Sequence, residues 1–237
     1  MKKSIVAALI AVALTSAAKA DDSRGWAWSP LGIGIAAPIQ LPPASADIYG
    51  LRLGGLFGRN NEVTGLDASL VSMTDADFTG LQLAAFTWTG TDVYGIQVGA
   101  LANMVGGIMK GAQVGLFNTL WGDSAGLQLG LVNFDSAFSG VAIAGAINWT
   151  TGVGEGLEIA VANANQDEYT GLAIGAVNGA PRFSGAQIGV VNTADTFSGL
   201  QLGVINACDK MNGVQIGLLN LITTSKLPIM VIANANF

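Results

Sequence analysis

From Gly50 to Asn220 the chain repeats one phrase, Gly-x-Gln-x-Gly-x-x-Asn, every fourteen to sixteen residues. Gly126-Leu-Gln-Leu-Gly-Leu-Val-Asn133 is one copy, and the phrases opening at Gly185, Gly199 and Gly213 are three more. The other leading glycines are Gly50, Gly65, Gly80, Gly95, Gly111, Gly140, Gly156 and Gly171, the phrases at Gly65, Gly80, Gly140 and Gly156 being degenerate. So short a period holds one strand and one turn, or one small coil, and excludes a helical repeat. An array of such units builds a wall or a surface, each unit resting on its neighbours.

Alternate positions of the phrase differ sharply. The first, third and fifth residues after the leading Gly carry no charged or polar side chain: Leu127, Leu129, Leu131 in one copy, Leu200, Leu202, Val204 in another. The second position reads Arg52, Asp67, Gln82, Gln97, Gln113, Gln128, Ala142, Glu158, Ala173, Gln187, Gln201 and Gln215. A period of two is the strand signature, because successive side chains point to opposite faces. One face is therefore apolar and the other is aqueous or internally hydrogen-bonded. On that reading Leu202→Arg disrupts assembly more than Gln201→Arg. Arg52 and Asp67 hold the same position in neighbouring repeats, which predicts a cross-strand ion pair.

Other columns recur. Gly99, Gly115, Gly130, Gly175, Gly189, Gly203 and Gly217 lie two beyond the Gln position. Glycine is a poor strand former, so its recurrence implies close approach, curvature or a narrow interior. Asn103, Asn118, Asn133, Asn148, Asn163, Asn178, Asn192, Asn206 and Asn220 close the phrases, as suits a strand end. Asn148-Trp149-Thr150 also matches a glycosylation sequon, but the strand-end reading accounts for it. Between phrases come polar turns holding most other charges, among them Asp92, Asp123, Asp135, Asp167, Glu168, Arg182 and Lys210. Aromatic or Met residues stand just before many leading glycines (Phe78, Tyr94, Met109, Phe138, Tyr169, Phe183, Phe197, Met211). Trp88, Trp121, Phe134 and Trp149 follow near the Asn.

Residues 1–20 read as a secretory signal: Lys2 and Lys3, an apolar run from Ile5 to Leu14, and Ala18-Lys19-Ala20 before Asp21. Residues 21–46 form a lead-in and 47–237 the repeat domain. Loss of 1–20 removes three of ten basic residues and no acid, so seven against sixteen leaves a net charge of −9. That balance argues against nucleic acid, whose phosphates demand clustered Lys and Arg. Apolar residues make up 51% and charged ones only 11%, against about 25% charged in soluble domains. High apolarity without a long apolar helix after the signal points to strands that meet lipid or to sheets covered on both faces.

Two architectures fit. The sequence favours an antiparallel transmembrane β-barrel of about 12–14 short strands. Phe197–Asn206 has ten residues, within the roughly 9–11 that a tilted spanning strand needs. Leucines would face lipid, Gln and Gly the lumen, and the aromatics would form two girdles. Ile229–Phe237 ends like the C-terminal signal of outer-membrane barrels. Pro30–Gln40 and this final segment, added to twelve phrases, give fourteen strands. The alternative is a single-stranded β-solenoid with one coil per 14–16 residues. Its support is that turn lengths do not alternate and that the Gln and Asn columns resemble stacked ladders. Against it, Ala180, Ala194 and Cys208 with Phe183, Phe197 and Met211 make a thin core, and a Gln/Gly face would be a strangely uncharged surface.

The repeated phrase behind a signal segment resembles an uncharacterised group of bacterial surface-repeat proteins. Asp47-Ile-Tyr-Gly-Leu-Arg-Leu53 and Ile232-Ala-Asn-Ala-Asn-Phe237 look like the group's array ends, and the resemblance covers roughly residues 30–237. It implies an envelope location and no activity. The expected function is an exported outer-membrane or surface protein, structural or a passive pore-like barrel, with outer-membrane lipid as partner. A surface-exposed solenoid for binding or adhesion, periplasmic or at the cell surface, with a protein or glycan partner, is the alternative. The polar-face residues are Arg52, Asp67, Gln82, Gln97, Gln113, Gln128, Glu158, Gln187, Gln201 and Gln215. The chain has no His, no Cys pair beyond the single Cys208, and no phosphate loop or nucleophile elbow. No enzyme activity, cofactor or metal is expected. Asp75 with Asp77, and Asp167 with Glu168, read as solvated turn charge.

Overall fold

The computed structural model describes residues 27–37 and 39–237, so the signal expected at 1–20 lies outside the described residues. Twelve strands form one sheet: β1 (Trp28–Ala36), β2 (Ile39–Leu41), β3 (Asp47–Asn60), β4 (Val63–Thr74), β5 (Phe78–Thr89), β6 (Val93–Val105), β7 (Met109–Val114), β8 (Phe117–Thr150), β9 (Gly154–Ile159), β10 (Ala162–Asn165), β11 (Glu168–Ile222) and β12 (Ile229–Asn236). β8 and β11 run through several repeats because the chain turns corners while staying extended.

Pairing decides the architecture. Repeats stack parallel and in register: Gly50 on Gly65, Gly65 on Gly80, Gln82 on Gln97, Gln97 on Gln113. Among the described residues antiparallel pairing occurs only at the ends, where β2 folds on β1 and β12 on β11. The expected transmembrane barrel is therefore corrected: neighbouring strands of a barrel meander run in opposite directions, and these do not. The chain is a β-solenoid. Parallel stacking sets each side chain above its equivalent one coil away, so identical amides meet and bond, which an antiparallel register would not arrange.

Each coil has two short strands joined at two corners. The leading glycines need their residue type: Gly199 has φ +128°, and a Cβ there would sit 2.0 Å from the Gly185 carbonyl oxygen. Only glycine accepts that conformation together with that approach. At the opposite corner a Cβ on Gly203 would lie 2.6 Å from Asn192 Nδ2, so the second Gly column clears space for the Asn amides.

Four side chains per coil point inward. In the coil led by Gly199 they are Phe197, Gln201, Asn206 and Cys208, all fully or almost fully buried. The residue two before the leading Gly and the residue two after the Asn supply most of the apolar filling, Ser124, Asp135, Thr150, Gly154 and Asn165 being exceptions. Ile48, Val63, Phe78, Val93, Val105, Met109 and Leu120 fill the N-terminal half. Tyr169, Phe183, Phe197, Cys208, Met211 and Ile222, with Ala173 and Ala180, fill the C-terminal half. Tyr169, Phe183 and Phe197 stack with centroids 5.1 and 5.3 Å apart. These aromatics are thus a core stack and not a membrane girdle. Trp121, by contrast, is exposed on the outside.

The leucine rows face outward. Leu53, Leu66, Leu83, Ile96 and Ile216 are exposed, while every Gln of the repeat phrase is buried. The solenoid carries amides inside and aliphatic side chains outside.

Candidate functional site

The Gln column is one hydrogen-bonded ladder in two pieces. Gln97 Nε2 donates to Gln82 Oε1 at 2.8 Å, Gln113 to Gln97 at 2.9 Å and Gln128 to Gln113 at 3.2 Å. Gln201 donates to Gln187 at 2.7 Å and Gln215 to Gln201 at 2.8 Å. Each Gln donates toward the N-terminal end. The Asn column runs the other way: Asn103 donates to Asn118, and so on to Asn206, which donates to Asn220 at 2.8 Å. Most of these Asn residues use the second amide hydrogen on a carbonyl at the next coil's corner, as Asn192 does on Leu202 at 2.9 Å. Asn148 belongs to this buried ladder, so the glycosylation sequon is inaccessible. Buried amides are tolerable only when paired, and stacking pairs them.

The ten polar-face candidates all point inward, and none is exposed. They line no open lumen, because the Asn and apolar columns fill the space beside them. Arg52 and Asp67 form the ion pair that register predicts. Arg52 Nε donates to Asp67 Oδ1 at 2.9 Å and Nη2 to Oδ2 at 2.6 Å; Nη1 reaches the Met73 carbonyl at 2.8 Å. Ser72 and Gln82 also donate to Asp67. Burial pushes the Asp67 carboxyl upward, but the hydrogen bonds and charge of Arg52, with those from Ser72 and Gln82, outweigh it and hold the carboxyl below its ordinary value.

Halfway along, the ladder breaks. Ala142 stands in the Gln column, Glu158 follows, and Ala173 comes next. Asp135, expected in a polar turn, instead points inward two residues past Asn133 and is 2% exposed. The parity of its neighbours Leu120 and Thr150 was the signal that could have placed it. Gln128 Nε2 donates to Asp135 Oδ1 at 2.7 Å. Glu158, 0% exposed, accepts from Asn165 Nδ2 at 3.0 Å and from Thr150 Oγ1 at 3.4 Å. Gln128 Oε1, Asn165 Oδ1 and the Tyr169 hydroxyl, all buried, have no partner. Burial pushes both carboxyls up to about 7, Asp135 also feeling the charge of Glu158. Tyr169, buried near Glu158, is raised as well.

Cys208 lies in the C-terminal core, and burial pushes its thiol up to about 11. That environment makes it a packing residue and not a nucleophile. Among the described residues no group of three His, Cys, Asp or Glu side chains converges.

Outside, the two corners differ. The turn corner bears Asp47, Glu62, Asp77, Asp92, Asp123 and Glu168 in one column, with Arg182 and Lys210 near its C-terminal end. The opposite corner, within the phrase five or six residues after the leading Gly, is aliphatic along its length: Leu70, Leu101, Leu116, Leu131, Val190 and Leu218 are 42% to 67% exposed. Ten coil steps of about 4.8 Å, from Leu70 to Leu218, make this ridge roughly 50 Å long. The cross-section thus has an acidic edge facing away from an apolar edge. No family model, curated protein or solved structure matches the chain. The class it defines, a single-chain β-solenoid with an amide-laddered interior, rests on coil geometry.

Proposed function

We propose that this protein is an exported envelope module that docks by its apolar ridge on a lipid surface and keeps its acidic edge in water. The observation that carries this reading is the continuous aliphatic ridge opposite the acidic column. Contiguous apolar area on this scale marks an interaction surface. A pore role finds no support, since the interior is filled by its own side chains. The signal-like residues 1–20 support export.

Flotation with phosphatidylcholine vesicles tests the docking. The mature chain should float with the vesicles, and a Leu116→Ser/Leu131→Ser/Leu218→Ser variant with unchanged circular dichroism should remain in the soluble fraction. A soluble monomer that ignores vesicles sinks the proposal. A dimer that shields these three residues replaces lipid by a second copy. Mass spectrometry of the exported chain should find Asp21 at its N-terminus.

A further inference from the structure

We infer that the middle of the solenoid holds one oxygen-ligated divalent cation, calcium by its chemistry, between Asp135 and Glu158. The inference is independent of the docking surface.

The interior charge does not balance. Four ionisable acidic or basic side chains are buried among the described residues: Arg52, Asp67, Asp135 and Glu158. Arg52 is committed to Asp67. Asp135 and Glu158 have only neutral donors, Gln128 for one and Thr150 with Asn165 for the other. Two uncompensated carboxylates inside a protein demand a counter-charge or protons.

The neutral groups around them point to an ion. Gln128 spends Nε2 on Gln113, Ser124 and Asp135, which leaves Oε1 without a donor. In the intact ladder that oxygen accepts from the next coil's Gln; here the next coil supplies Ala142, and whereas the equally unpaired Gln215 Oε1 merely ends its ladder, Gln128 has the buried Asp135 beside it. Asn165 likewise turns its Nδ2 to Glu158 and leaves Oδ1 unpaired. A Cβ on Gly154 would lie 3.0 Å from that Oδ1 and 2.6 Å from Tyr169 Cδ2, so the missing side chain lets Asn165 and Tyr169 approach. Gln128 therefore offers its nitrogen to Asp135 and leaves its oxygen free on the side of the Ala142 coil, while Asn165 gives its nitrogen to Glu158 and keeps its oxygen against Gly154 and Tyr169, outside the ligand set. Thr150 Oγ1 sits between the two acidic coils. Carboxylate, amide and hydroxyl oxygens with no nitrogen or sulfur ligand select a hard cation, and two negative charges match a divalent one. Calcium takes six to eight such oxygens in adaptable geometry, whereas magnesium keeps several waters, for which a filled interior has little room.

Because both carboxylates are sealed, the ion enters as the coils close. The test is refolding from urea at pH 8 with CaCl2 or with EGTA. Calcium should raise the thermal midpoint by roughly 5–10 °C at a hundredfold excess over Kd, and desalted protein should retain one calcium per chain. Asp135→Asn/Glu158→Gln should fold in EGTA, because it removes the buried charges, and should lose both effects. Asp77→Asn/Asp92→Asn, on the outer acidic edge, should keep them. A calcium response absent from the wild-type chain, or equal in the Asp135→Asn/Glu158→Gln variant, overturns the site.

Discussion

Gln201 is fully buried and donates to Gln187, while Leu202 beside it is half-buried on the outer face. The order of sensitivity expected from the alternation alone is thereby reversed. Gln201→Arg places a charge among neutral amides and should cost more than about 4 kcal/mol in urea unfolding. Leu202→Arg should stay within about 1 kcal/mol. Asp67 gives a pH signature. Its folded carboxyl lies below the ordinary value of about 3.9 that it regains on unfolding. Its contribution is therefore complete above that value and is lost as pH falls through the folded one. Asp67→Asn should destabilise at neutral pH by about 3–5 kcal/mol, since Arg52 is left buried and unpaired, and should flatten the loss of stability below about pH 4. Asp135 and Glu158 act with the opposite sign. In metal-free buffer the folded chain keeps their protons up to about 7, where the unfolded chain has released them. Stability should accordingly fall as pH rises from about 4 to about 7 and level off above. Asp135→Asn/Glu158→Gln, measured by urea titration across that range, should abolish the fall.

At the scale of the coil, the two glycine columns set what the corner tolerates. Gly199→Ala meets the Gly185 carbonyl at 2.0 Å in a conformation that disfavours a Cβ. The coil would have to open there, and a loss above about 3 kcal/mol is expected. Gly179 is a control: it has no strained φ, and the nearest atom to a Cβ is Thr193 Oγ1 at 3.1 Å. Gly179→Ala should shift the urea midpoint little. Much of the coil was readable beforehand. Period two, the strand-ending Asn, the small corner residues and the Arg52–Asp67 partnership all follow from the spacing, because parallel in-register stacking turns sequence period into spatial neighbourhood. Asp135 was misplaced because a charged residue just past an Asn reads as a turn. Only the inward parity of the second strand, carried across from Leu120 and Thr150, puts it inside.

For the whole molecule, nearest-neighbour stacking implies modular stability. Deleting residues 186–199, one coil from after Gly185 through Gly199, joins Gly185 to Gln-bearing residues in an unchanged frame. The shortened chain should fold, with circular dichroism of the same shape and a slightly lower thermal midpoint. Disruption comparable to that of Gly199→Ala would show that coils are not interchangeable. The mid-solenoid break, where two carboxylates replace amide and aliphatic filling, divides the apolar core into two clusters. Its deletion should alter stability in a calcium-dependent way, unlike that of the regular coil.

The sequence by itself determined that the chain is an extended repeat array with one apolar and one amide-bearing side to each strand. That much is local, since alternation and period depend on backbone geometry alone. Which side faces inward was not local. Leucine outside and glutamine inside runs against the usual ordering by hydrophobicity, and it is stable because parallel stacking lets each amide bond its own equivalent one coil away. An isolated strand has no such partner. Only the wound structure supplies it, and with it the choice of a filled solenoid over a hollow barrel.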